Sequence, residues 1–168
     1  CDMSRSVRDK RYVYIRNYWP HRPHGQHLWY QMQTPTTRIW KELFDMGKLN
    51  KVQSQFWQKR APEELYDLKN DPDEVNNLAN SPKYAAILQK FRKAHEEHVF
   101  KIRDTGFLPE NEIHTRSKGS TPYEMARDPK QYPLKEIFPM AQLASSLKPD
   151  VTEKLLAGLK HKDSAVRY

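Results

Sequence analysis

The sequence predicts an α+β fold: a small antiparallel sheet packed with one long amphipathic helix, then a C-terminal helix pair. Three observations carry it. β-branched and aromatic residues flank a turn near the start. A second alternating block follows about fifty residues later, and one later stretch repeats apolar residues at three- and four-residue steps for about five turns.

Taken in order, residues 4–17 read as a hairpin, with Val7 on one strand, Tyr12, Val13, Tyr14 and Ile15 on the other, and Asp9-Lys10 as the tight turn. Tyr12 and Tyr14 share one face and Val13 and Ile15 the other, so both faces of that strand are expected to be covered. Residues 18–34 have no periodicity. They hold Pro20, Pro23, His21, His24, His27, Trp19, Trp29 and Tyr30, and read as a long ordered loop, which is uncommon unless functional. Thr34-Pro35 supplies an N-cap and a first-turn proline for a helix carrying Ile39, Trp40, Leu43 and Phe44, and Gly47 ends it. A short helix over 50–57 follows, with Val52, Phe56 and Trp57 as its apolar stripe. Glu64-Leu65-Tyr66-Asp67-Leu68 is the third strand, closed by the turn chemistry of Asn70-Asp71-Pro72-Asp73. Ser81-Pro82 opens the longest helix, whose stripe is Tyr84, Ile87, Leu88, Phe91, His95, Val99 and Ile102, with Gly106 as its stop.

From residue 108 to 131 the composition turns to Pro, Glu, Ser, Arg and Gly, an extended connector carrying one short helix that starts at the capping box Thr121-Pro122-Tyr123-Glu124. Two helical patterns follow, 134–146 and 151–159, the second capped by Asp150 with Glu153 three residues on, and a third helix begins near Ser164. The expected division is 1–107, 108–131 and 132–168.

The 168 residues carry 29 Lys and Arg against 21 Asp and Glu, a formal charge of +8, with 37% hydrophobic residues. Mean hydropathy is −0.98, so much of the chain must be surface. No apolar run approaches the ~18 residues of a membrane span. The single cysteine, Cys1, excludes an internal disulfide and a cysteine zinc site. The basic charge invites nucleic acid or sulfated glycan, but Glu63-Glu64, Asp71 to Glu74 and Glu96-Glu97 interrupt any continuous basic stripe and argue against nucleic acid.

His21, Arg22, His24 and His27 form the candidate site. Arg22 and three imidazoles beside Trp19, Trp29 and Tyr30 suit the rim of a site for an anionic sugar. Two other readings stand beside it: a structural loop whose histidines bond backbone carbonyls, and three imidazoles holding zinc. Pro20, Pro23 and Gly25 exclude a continuous helix through the three. Trp40, Phe44, Phe56, Trp57 and His95 read as core.

Two blocks carry a resemblance. Arg5-Ser6-Val7-Arg8-Asp9-Lys10-Arg11-Tyr12-Val13-Tyr14-Ile15-Arg16-Asn17, followed by the "ELYDL…DPDEVNNLA" run from Glu64 to Ala79, resembles the C-terminal subdomain of type I sulfatases, nearest to heparan N-sulfatase (sulfamidase) and its bacterial relatives. The match covers about residues 4–110. The tail from Pro133, with its "DSAVRY" ending, resembles the opening of a HEAT-like repeat. The resemblance implies a parent that hydrolyses sulfate esters or N-sulfamates of a glycan, with formylglycine and calcium in a missing N-terminal catalytic domain. This chain then contributes cleft and packing residues, holds no catalytic residue and no cofactor, is inactive alone, and exposes an apolar docking face on its sheet. Cys1-Asp2-Met3-Ser4-Arg5 superficially matches the family's C-x-P-S-R modification motif. However, Met3 stands where proline or alanine belongs, and Lys10-Arg11 where threonine-glycine belongs. The implied partners are the missing domain and sulfated carbohydrate, with no membrane. Many bacterial relatives are exported or periplasmic, with the signal upstream, which leaves the compartment open. A non-catalytic basic module for sulfated glycan or nucleic acid is the alternative, and a repeat scaffold a third.

Overall fold

The computed structural model describes residues 3–167, so Cys1 and the Cys1-Asp2 part of the modification-like motif lie outside the described residues. The fold is α+β. A three-stranded antiparallel sheet has the order β1 (Ser4–Arg8), β2 (Tyr12–Asn17), β3 (Glu63–Asp67). Val7 faces Tyr14, and Tyr14 faces Leu65 on the far side. The hairpin turn centres on Lys10-Arg11, one residue later than expected. Asp9 causes the shift: its N–H donates to the Tyr12 carbonyl, and its carboxylate accepts the N–H groups of Arg11 and Tyr12, both at 2.8 Å. Both faces of β2 are covered, with Tyr14 buried on one and Val13 on the other.

Helix α1 (Pro35–Asp45) starts at Pro35 and ends at Gly47, which takes φ +66°. Thr34 occupies the N-cap position but makes no capping bond; its hydroxyl donates to the Gln31 carbonyl instead. The expected 50–57 helix is a four-residue α2 (Lys51–Ser54) followed by a 3-10 turn, Gln55–Trp57, and Val52 is exposed rather than packed. Trp40, Phe44, Phe56 and Trp57 form an aromatic cluster, with Trp40 stacked on Phe56 at 4.7 Å.

Helix α3 (Ala85–Ile102) buries Leu88, Phe91, His95 and Val99. It stops at Arg103, in the left-handed region at φ +56°, and not at Gly106. The Arg103 side chain donates to the Ala126 carbonyl at 2.8 Å, so a contact from a distant segment holds the backbone where glycine is normally required. Ile102, expected on the stripe, is exposed.

The 108–131 stretch is not extended around one helix. It carries α4 (Glu110–Arg116) and α5 (Pro122–Arg127), the latter opened by the Thr121/Glu124 capping box. Met125 and Ala126 are buried in the main core with Tyr18, Val99, Phe107, Tyr132, Leu134, Ile137, Phe138 and Val166. Two apolar residues within a six-residue helix are too few to register as periodicity, yet enough to anchor it.

The chain closes with α6 (Leu134–Ala144), α7 (Thr152–Gly158) and α8 (Ser164–Arg167). Asp150 does not cap α7. It lies inside a 3-10 turn, Pro149–Val151, and no side chain caps the helix. Buried Arg16 ties the sheet to the end of α6, donating to the Pro62 and Gln142 carbonyls and to Ser145 Oγ. The Gln142 and Ser145 acceptors lie at the C-terminal end of α6, where its dipole is negative, which suits a cation. Among the described residues, no strand residue is a large exposed apolar one; exposed apolar side chains concentrate in residues 28–52, so the apolar surface is not on the sheet.

Candidate substrate-rim site

The 18–34 loop leaves β2 and is pinned at three places. Tyr18 is buried, with its N–H on the Met3 carbonyl and its ring 4.9 Å edge-to-face from Phe107. Buried Arg60 is the second pin. Its guanidinium donates to the carbonyls of Trp19 and Arg22 and to Ser4 Oγ, while its own N–H reaches the Pro20 carbonyl. Third, Gly25 donates to the Phe56 carbonyl at 2.7 Å, and a Cβ there would sit 2.2 Å from Trp57 Cε3, so only glycine permits this approach. The loop is therefore ordered by non-local bonds although it has no periodicity of its own.

His21, Arg22, His24 and His27 are all exposed. The Arg22 guanidinium lies 4.6 Å from the centre of the Trp19 ring, and the His24 ring stacks on Phe56 at 6.3 Å. His21 and His24 border different cavities. His21 joins Trp19, Met140 and Ala144 around an apolar cavity of about 220 Å³ against α6 and α8. His24 edges a cleft of about 480 Å³ on the sheet face opposite α3. Among the described residues no three His, Cys, Asp or Glu side chains gather as metal ligands, so the three-imidazole zinc reading finds no support in the geometry.

The larger cleft contains residues that sequence reasoning did not single out. Its floor is Ile15, Glu64 and Tyr66, and its lining includes Lys59, Arg60, His24, Asp73 and Glu74. The buried Glu64 carboxylate accepts the Tyr66 hydroxyl at 2.8 Å and Asn17 Nδ2 at 2.6 Å. Burial, with Glu64 beside it, pushes the Tyr66 phenol up, so it stays a protonated donor. Glu74 holds φ +54°, an uncommon backbone for a non-glycine residue. Exposed Lys59 and His24 can pair with an anionic group at this cleft, and exposed Asp73 and Glu74 can accept hydrogen bonds from hydroxyls. Nothing local marks Arg60, since its partners lie 38 to 56 residues away.

Comparison with known proteins bears on this chain directly. It is 40% identical over 131 residues, 77% of its length, to an ulvan-active sulfatase of Formosa agariphila. The chain is homologous to part of a sulfatase. A second ulvan-active sulfatase of the same organism is 38% identical over 90 residues, and a Delta 4,5-hexuronate-2-O-sulfatase of Bacteroides thetaiotaomicron is 45% identical over 42. The alignments cover 22%, 16% and 9% of these sulfatases, so the chain spans less than a quarter of the curated relatives it matches. No family model matches it. Among the described residues no helix is long and apolar enough to cross a membrane.

Sulfatase relatives imply calcium and formylglycine in the whole enzyme, and the described residues do not fit either group. Four carboxylates are each taken by an arginine, Asp67 by Arg11, Glu63 by Arg92, Asp104 by Arg5 and Asp163 by Arg116, while buried Glu64 accepts from Tyr66 and Asn17 and buried Asp71 from the N–H groups of Val75 and Asn76. Calcium needs six to eight oxygen ligands, several of them converging carboxylates.

Proposed function

We propose that this chain is the C-terminal part of a sulfatase acting on an acidic sulfated glycan, supplying rim and packing residues to a catalytic domain that holds nucleophile and metal. The observation that carries the reading is the 40% identity over 131 residues to an ulvan-active sulfatase. The relative named for hexuronate agrees with it, and its 2-O-sulfatase name favours a sulfate ester over a sulfamate. In this reading residues 1–107 are the sulfatase subdomain, 108–131 join it to 132–168, and that last helical stretch is the start of a HEAT-like repeat. The alternative, a basic module without chemistry, keeps only the net charge of +8 behind it.

Of His21, Arg22, His24 and His27, the rim reading rests on Arg22 and His24, since His21 borders the cavity on the α6 side instead. Arg22 is supported by the Trp19 ring and keeps an exposed face for a sulfate or carboxylate, while His24, steadied by Phe56, stands at the cleft edge. Such contacts orient a polysaccharide and leave a small substrate untouched. In the longer polypeptide, Arg22→Ala and His24→Ala should each lower kcat/KM on a sulfated oligosaccharide about tenfold, roughly the ~1.4 kcal/mol of one charged contact, with little change on an aryl sulfate. Equal loss on both substrates, or none on either, would refute the rim assignment.

A further inference from the structure

Helix α1 is apolar over a wider arc than the fold covers. Trp40 and Phe44 turn toward Phe56 and Trp57, but Ile39, Leu43 and Met46, at i, i+4 and i+7, make a second stripe that meets no buried core residue. Ile39 is 52% exposed, Met46 62%, and Val52, next in line on α2, 51%. Ile39, Leu43 and Leu49 also line a shallow groove of about 350 Å³ between α1 and the segment after it. No residue of α1 is buried.

We infer that this stripe and groove on α1 form the docking face for the rest of the sulfatase polypeptide, an inference that rests on the function proposed above. Two observations select this occupant. The matched relative is more than four times as long as its aligned part, so most of such an enzyme lies outside the described chain. The stripe itself consists of uncharged side chains, Ile39, Leu43 and Met46, and although exposed Arg38 lies beside it, an apolar protein surface matches it better than a polyanion does. A second copy of the chain is disfavoured by the shared net charge of +8. Trp29 and Tyr30, 74% and 73% exposed, add further uncovered aromatic surface on the segment just before α1.

The test is covalent footprinting, read by mass spectrometry at Leu43 and Met46, on the 168-residue chain and on the longer polypeptide. Labelling at least fivefold lower in the longer polypeptide is expected, with Met46→Asp restoring labelling at Leu43 there and leaving the melting temperature of the 168-residue chain unchanged. Equal labelling in both would overturn the docking face. Protection in the chain alone that grows with its concentration would assign the face to a second copy, and protection by a sulfated oligosaccharide would assign it to glycan; either overturns the inference. A gene that encodes no longer polypeptide would overturn it as well. Aryl sulfate turnover by the same longer polypeptide separates the two readings: an active enzyme with equal labelling refutes the docking face alone, and an inactive one with a protected stripe refutes the sulfatase reading alone.

Discussion

Protonation of His95 should destabilise the fold in a pH window where few other groups act. The ring is buried between Tyr14, Tyr18 and Phe138, each with its centre about 6 Å away. Burial is the main cause of its pKa lying at about 4; the cations Arg16 and Arg5 push the same way, as does His98, while Asp104 opposes them. An unfolded chain takes up this proton near 6.5, its ordinary value, whereas the folded chain waits until about 4. Between those values the unfolded state binds more protons, so stability is full above pH 6.5 and falls as pH drops toward 4. The difference of about 2.5 pKa units amounts to about 3 kcal/mol, a large share of the ~5–15 kcal/mol a domain usually has. Glu63 and Asp104 do not confound the window. Burial opposes their ionisation, but Arg92 and Arg5 prevail and hold both below their ordinary values, so their contribution is lost further down.

Urea unfolding followed by tryptophan fluorescence, from about pH 7 to about pH 4.5, checks this. The unsubstituted chain should lose about 2–3 kcal/mol across the range. His95→Phe keeps an aromatic ring among its neighbours, His95→Gln keeps a polar partner for the Tyr18 hydroxyl 3.4 Å away, and both should flatten the slope. Parallel slopes for the three proteins would refute the assignment of the window to His95.

Gly25→Ala should cost about 1–3 kcal/mol in thermal unfolding, because its Cβ would lie 2.2 Å and 2.5 Å from Trp57 ring carbons that are themselves packed; an unchanged melt would contradict the close approach. Arg16→Met should cost about 2–3 kcal/mol by removing three charge-assisted bonds, to the Pro62 and Gln142 carbonyls and to Ser145 Oγ, and hydrogen exchange should quicken at the end of α6 more than in α3. Thr121→Ala should cost about 1 kcal/mol, and Thr34→Ala clearly less, since only Thr121 caps backbone N–H groups; equal losses in chemical denaturation would refute the capping distinction.

What was legible in the sequence was what neighbouring residues decide. The hairpin, its pairing with β3, the start of α1 and the stripe of α3 follow from alternation, helical spacing and Pro or Gly punctuation, and these elements stand where that pattern puts them. Two of the misses have long-range causes. Arg103 ends α3 because Ala126, 23 residues on, offers its carbonyl, and the 108–131 stretch folds because Met125 and Ala126 find a core made by residues from 18 to 166. Asp150 looked like a cap, but Pro149 starts a 3-10 turn before the helix can use it.

The loop itself was readable, and its histidines were not. A regular three-residue spacing suggests a shared purpose, yet His21 faces the α6 side and His24 the cleft over the sheet, because Arg60 and Gly25 fix the backbone between and around them. Those same pins connect the two proposed surfaces. The proposed rim is on the loop and the proposed docking stripe on α1, and both belong to a lobe held together by the Gly25 contact with Phe56 and Trp57 and tied to β1 by the Arg60 bond to Ser4 Oγ. Three substitutions should therefore separate in the longer polypeptide. Arg22→Ala should change glycan kinetics alone, Met46→Asp the labelling of the stripe alone, and Gly25→Ala, by shifting the lobe as a unit, both together.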